Sequence, residues 1–150
     1  SVLERSLEGA REAAAAVEAR GVLLRSEAPD PLAALKAAMA ALMPRLRLLG
    51  VRSQEGSAEL HFERAEGDDL APGDLSASER QALLFALGFV CLELEHAVVL
   101  VDTPELHIHP AEQAQFLRTL AGLGVDNQLI VATSAAALLS EASPAQVIKL

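Results

Sequence analysis

Hydrophobic and polar positions along this chain alternate between helical and strand periods. Residues 2 to 20 predict one helix, alanine-rich in its middle, with Gly21 able to end it. A linker through Ser26, Pro29, Asp30 and Pro31 follows. Pro31 suits a first helical turn with Asp30 as its cap, and this second helix runs to about Met43, where Pro44 closes it. Leu46 to Val51 and Ser57 to Glu63 predict two strands, bent at Gln54-Glu55-Gly56. From Ala58 to Glu63 apolar and polar residues alternate, which predicts one wet and one buried face. Glu66 to Asp74 is polar, carries Gly67, Pro72 and Gly73, and predicts a loop. Ser76 then caps a long helix, with Glu79 three residues later at the spacing of a capping box.

Beyond that helix, strand Ala97 to Val101, helix Ala111 to about Leu123, strand Gln128 to Ala132, a short helix from Ser134 and a final strand Gln146 to Leu150 complete the pattern. Strand and helix alternate, so right-handed parallel crossovers are expected. The most informative stretch is Val98-Val99-Leu100-Val101-Asp102-Thr103-Pro104. Apolar β-formers run straight into an aspartate and a proline-bearing turn. A buried parallel strand delivers a carboxylate to the carboxyl edge of its sheet in this way, and that edge is where open α/β sheets bind ligands. A carboxylate there suits magnesium, held directly or through water.

Three blocks, which follow one another along the chain as signature, Walker B and switch strand, resemble the ABC-type ATPases, in the branch that includes SMC, RecF and OLD-like proteins with their AAA-type ATP-binding domains. Asp102 to Pro110, reading Asp-Thr-Pro-Glu-Leu-His-Ile-His-Pro, resembles the Walker B strand end Asp-Glu-Pro-Glu-Leu-His-Leu-His-Pro. Leu75-Ser76-Ala77-Ser78-Glu79-Arg80-Gln81 resembles the signature Leu-Ser-x-Gly-Glu-Arg-Gln. Gln128 to Ser134 resembles the strand leading to the switch histidine. The resemblance spans roughly residues 30 to 150. It implies an α/β fold: the carboxy-terminal lobe of a P-loop NTPase-like (ABC ATPase) domain, a parallel sheet flanked by helices with a small antiparallel hairpin. Residues 1–30 would then be a helix and linker, a lid or the remnant of an arm, and residues 31–150 the lobe.

The same resemblance implies roles for single residues. Ser76, Ser78 and Glu79 fall on the nucleotide-binding signature, and Asp102 on the magnesium carboxylate. It implies ATP and Mg2+ as cofactors when a Walker A half is present. It implies a homodimer or a partner ATPase half, clamping nucleotide between two heads. The departures point to a degenerate site. Thr103 occupies the position of the catalytic glutamate, Ser78 that of the signature glycine, and Ser134 that of the switch histidine. A threonine hydroxyl is no general base at neutral pH, and Glu105 is the remaining weak candidate. The Walker A loop is absent: neither Lys36 nor Lys149 follows a glycine, so these residues build no P-loop. Weak or absent hydrolysis follows, with a pseudo-ATPase that mediates protein–protein interaction as the alternative. The turn pattern already accounts for His107 and His109, ahead of a dedicated zinc site.

Composition narrows the partners. The formal net charge is −9, and aromatic residues are 3% of the chain. Neither suits a surface that grips phosphate backbones or stacks bases. DNA contact by a parent protein would therefore come from other parts than this acidic segment. The single Cys91 allows no internal disulfide and reads as a small core residue, which fits a cytoplasmic setting. The charged amino-terminal run does not resemble a signal peptide, and no apolar run reaches the length of a membrane helix. His61 and His96 read as solvated or capping residues, and Glu93, Glu95 and Glu141 as surface charges.

Overall fold

A computed structural model describes residues 30–54, 57–65, 67–139 and 147–148. The helix expected over residues 2 to 20 lies outside them, as does Glu141. The chain divides into two compact units, Ser1–Cys91 and Leu92–Leu150. Both helices and strands build each unit, and the sheets are of opposite kinds, one antiparallel and one parallel.

In the first unit, helix α1 (Ala33–Leu42) follows a turn made by Asp30, whose Oδ1 accepts the Leu32 N–H at 2.9 Å. Asp30 is thus a turn residue three positions before the helix, and Leu32, not Asp30 as the sequence predicts, holds the cap position. Its carboxyl is held below its usual range by the Lys36 ammonium and the Leu32 amide, while burial works the other way. Leu35, Ala38, Met39 and Leu42 are buried along α1. Their i, i+3, i+4, i+7 spacing is one helical face, so pattern and packing agree. Strand β1 (Leu46–Gln54) and strand β2 (Ser57–Arg64) form an antiparallel hairpin longer at β1 than its apolar pattern predicts. The register shifts between Leu48 and Gly50, a bulge that leaves Leu49 as the extra residue.

The polar segment after β2 is more ordered than a loop. Asp69–Leu70 forms strand β3, paired antiparallel to β2, and Pro72–Asp74 makes one 3-10 turn. The expected hairpin is therefore a three-stranded sheet, β1-β2-β3. Helix α2 (Ala77–Cys91) then buries Ala82, Leu83, Ala86 and Phe89. Phe62 and Met39 are fully buried in this unit, and Leu46, Leu48 and Leu75 nearly so. Cys91 ends α2 half-buried. His61 is half-buried and pairs with Asp69, while His96 is exposed.

In the second unit, strand β4 (Val98–Asp102) and strand β5 (Gln128–Ala132) pair in parallel, from Val98↔Gln128 to Asp102↔Ala132. Helix α3 (Pro110–Ala121) lies between them in sequence, and the short helix α4 (Ala136–Leu139) follows β5. His109 caps α3, its Nδ1 accepting the Ala111 N–H at 3.3 Å, with Pro110 in the first turn. Val101, Ile108, Phe116, Leu120 and Leu138 are buried. Val147 and Ile148 carry no strand, and the other residues of the expected final strand lie outside the described ones.

The amino ends of β4 and β5 are tied by Asn127. Its Nδ2 donates to the Leu94 carbonyl at 2.7 Å, and its Oδ1 accepts the Ala97 N–H at 3.0 Å. Gly124 lies beside it at φ 74°, where a Cβ would collide with the Leu94 carbonyl and the Asn127 amide. Only glycine meets both demands.

Candidate functional site

Two clusters of chemistry-bearing residues result, one in each unit. In the first, the capping box is formed as its spacing predicts. The Ser76 N–H donates to Glu79 Oε2 at 2.7 Å, and the Glu79 N–H donates to Ser76 Oγ at 3.3 Å. Ser76 Oγ is also 3.2 Å from Ser78 Oγ, so the two hydroxyls sit together at the amino end of α2. Such an end carries unpaired amides and a partial positive charge, which favour an anion.

Sequence reasoning missed the residue that holds this helix start. Arg64, at the end of β2, donates from Nε to Glu79 Oε1 at 3.0 Å and from Nη2 to Glu79 Oε2 at 2.9 Å. This fork is the bidentate geometry that a guanidinium offers a carboxylate. It is the first cause that holds the Glu79 carboxyl at about 2, from an ordinary 4.5; the Ser76 amide and hydroxyl add to it, and burial opposes it. Both Glu79 oxygens are engaged inside the unit, so this residue fixes the helix start on which Ser76 and Ser78 sit.

In the second cluster, β4 and β5 end level. The ladder continues one step past them, with the Thr103 N–H donating to the Ala132 carbonyl at 2.8 Å. Asp102 is exposed at the carboxyl end of β4, and Ser134 is exposed just past β5. Thr103 has φ 46°, a left-handed conformation that a β-branched side chain rarely adopts. Thr103 is therefore a strained residue, held beside the exposed Asp102. Glu105 is half-buried and accepts from Thr133 Oγ at 2.6 Å. Its other oxygen, Oε2, is buried with no donor among the described residues. No signal in the sequence links Glu105 to Thr133, which are separated by 28 positions.

The face that β4 and β5 share is open. Val98, Leu100 and Ile130 are 62%, 74% and 51% exposed, while Val101 on the opposite face is buried. Parallel strands are ordinarily covered on both faces. Among the described residues no three His, Cys, Asp or Glu side chains gather as a cation cage. A single exposed carboxylate suits magnesium, which keeps most of its waters and takes phosphate oxygens as ligands. Among the described residues no helix is long and apolar enough to cross a membrane.

The fold and its edges define an α/β protein with a carboxylate at the carboxyl edge of a parallel pair. No family model and no curated protein match the chain. Several solved structures are similar to it, two of them as follows. One comes from structural biochemistry of ATP-driven dimerisation and DNA-stimulated activation of SMC ATPases, with a TM-score of 0.49, 21% identity, and coverage of 73% of this chain and 72% of that one. The other is an Smc head domain with an extended coiled coil, bound to the C-terminal domain of ScpA and derived from Pyrococcus furiosus, with a TM-score of 0.48, 17% identity, and coverage of 73% of this chain and 29% of that one.

Proposed function

We propose that this chain is the carboxy-terminal lobe of an ABC-type ATPase head, which binds ATP together with a Walker A half and dimerises when nucleotide is bound. The observation that carries the reading is the level ending of β4 and β5, with Asp102 and Ser134 exposed just where a ligand of a parallel sheet binds. The open face of the same two strands supports a lobe whose sheet is covered by a further layer when the head is complete.

In this reading Asp102 holds magnesium through its carboxylate. The cation, when bound, neutralises charge on the phosphates. Ser76 and Ser78 present hydroxyls and the amino end of α2 to the terminal phosphate of nucleotide held by the opposite head. Glu79 acts at one remove, by fixing that helix start through Arg64. Ser134 offers a hydroxyl to the terminal phosphate in place of an imidazole. No residue here supplies a general base at the usual position, because Thr103 stands there. The loss is about 100- to 10,000-fold in hydrolysis. The lobe therefore acts as a slow clamp.

A second reading, a pseudo-ATPase that only mediates protein interaction, is favoured by the concurrence of Ser78, Thr103 and Ser134. ATP turnover by the full-length gene product, beside Asp102→Ala and Thr103→Glu, separates the two. Slow turnover that Asp102→Ala abolishes and Thr103→Glu raises supports the clamp. Binding of neither ATP nor magnesium in any version sinks it and leaves the interaction module.

A further inference from the structure

One hydrogen-bond relay joins the turn after β4 to the turn after β5. Thr133 Oγ donates to Glu105 Oε1 at 2.6 Å, and the same oxygen accepts the Ala135 N–H at 3.0 Å. The directions are forced, since a carboxylate only accepts and an amide only donates. An amide two residues on that closes onto a threonine hydroxyl makes an ST-turn. The residue enclosed by this turn is Ser134.

Glu105 is itself seated firmly. The Ile108 N–H donates to its carbonyl at 3.0 Å, and the Leu106 N–H donates to the Thr103 carbonyl at 3.1 Å. The strand ends before both turns are level and bonded to each other through Thr103 and Ala132. The carboxylate thus reaches from a fixed turn and sets which way the Thr133 hydroxyl faces. A general base needs an oxygen that water can reach. Here Oε1 is occupied and Oε2 is buried, which argues against that role for Glu105.

We infer that Glu105 is a positioning residue: through Thr133 it holds the loop that presents Ser134, and so tunes the contact of that loop with the terminal phosphate of ATP. The second clause rests on the function proposed above. The first stands on the geometry alone.

Amide hydrogen exchange read by NMR on this chain tests the geometry. Glu105→Ala and Thr133→Val each raise exchange at Ala135 about tenfold or more, the scale of a lost bond to a charged group. The Thr103 amide in the neighbouring ladder keeps its rate. Glu105→Gln and Thr133→Ser, which keep the acceptor and the hydroxyl, stay near wild type. The double variant Glu105→Ala/Thr133→Val exchanges no faster than either single one. Should Glu105→Ala not fold, Glu105→Met fills similar volume without an acceptor and carries the same arm. Wild-type exchange at Ala135 in the Glu105 variant overturns the inference, as does Thr133→Ser behaving like Thr133→Val.

The functional clause is read by ATP-dependent self-association of the full-length gene product. The relay-breaking variants weaken it about tenfold, and the conservative ones preserve it. Unchanged association in variants that have lost Ala135 protection overturns the tuning clause. A native protein that never responds to ATP overturns that clause together with the proposed function, while the exchange data still decide the positioning of the loop.

Discussion

Replacing Glu79 by glutamine removes the charge that Arg64 grips while keeping the shape of the side chain. A fall of the carboxyl from 4.5 to about 2 corresponds to about 3 kcal/mol of differential stabilisation. The Glu79 side chain is 14% exposed and the Arg64 side chain 34%. Water around the guanidinium screens the pair, so about 2 kcal/mol is the expected loss at pH 7. The sign follows from the depressed value. The contribution is fully present above the unfolded value of 4.5 and is lost as pH falls toward about 2. By the same linkage relation, about two fifths of it remains at pH 3. Urea unfolding of wild type and Glu79→Gln at pH 7, 5 and 3 measures this directly. The gap between them is nearly constant from pH 7 to 5 and falls by more than half at pH 3. A gap of the same size at all three values would refute the assignment of the stabilisation to an ionised Glu79 held by Arg64.

Other consequences follow from single positions. Gly124→Ala forces a Cβ into the Leu94 carbonyl and the Asn127 amide, and Asn127→Ala strips both strand-end bonds; each is expected to cost about 2 kcal/mol or more in urea unfolding, and a neutral result at both refutes the tie between the strand ends. Thr103→Asn, placing a residue tolerant of left-handed backbone at φ 46°, should stabilise by about 0.5–1 kcal/mol; destabilisation in the same assay contradicts the strain reading. Phe62→Ala empties a fully buried position and should cost about 3–5 kcal/mol, a loss that thermal unfolding registers as a large drop in Tm.

The parts legible in the sequence are those with a local cause. Helix α1, the capping box at Ser76 and Glu79, and the strand that ends at Asp102 each depend on residues close together in sequence. All three stand in the structure, with the strand displaced by one residue to Val98–Asp102. The short strand Asp69–Leu70 was hidden, because a two-residue strand in a polar segment has no period to read. It exists because β2 offers a free edge, a fact of tertiary pairing. Arg64 and Thr133 were hidden for a different reason. Each meets its carboxylate across 15 and 28 positions, and neither neighbourhood advertises the partner. Motif resemblance named the carboxylates and hydroxyls at the two clusters. Only the fold names what holds them.

In the function proposed above, this lobe serves nucleotide-driven pairing of ATPase heads. Sedimentation velocity of the full-length gene product, with and without Mg-ATP, tests it most directly, with Asp102→Ala and Ser76→Ala alongside. The expected result is a shift to dimer with Mg-ATP in the wild type that both substitutions abolish. An unchanged oligomeric state with nucleotide, or a shift indifferent to both substitutions, contradicts it.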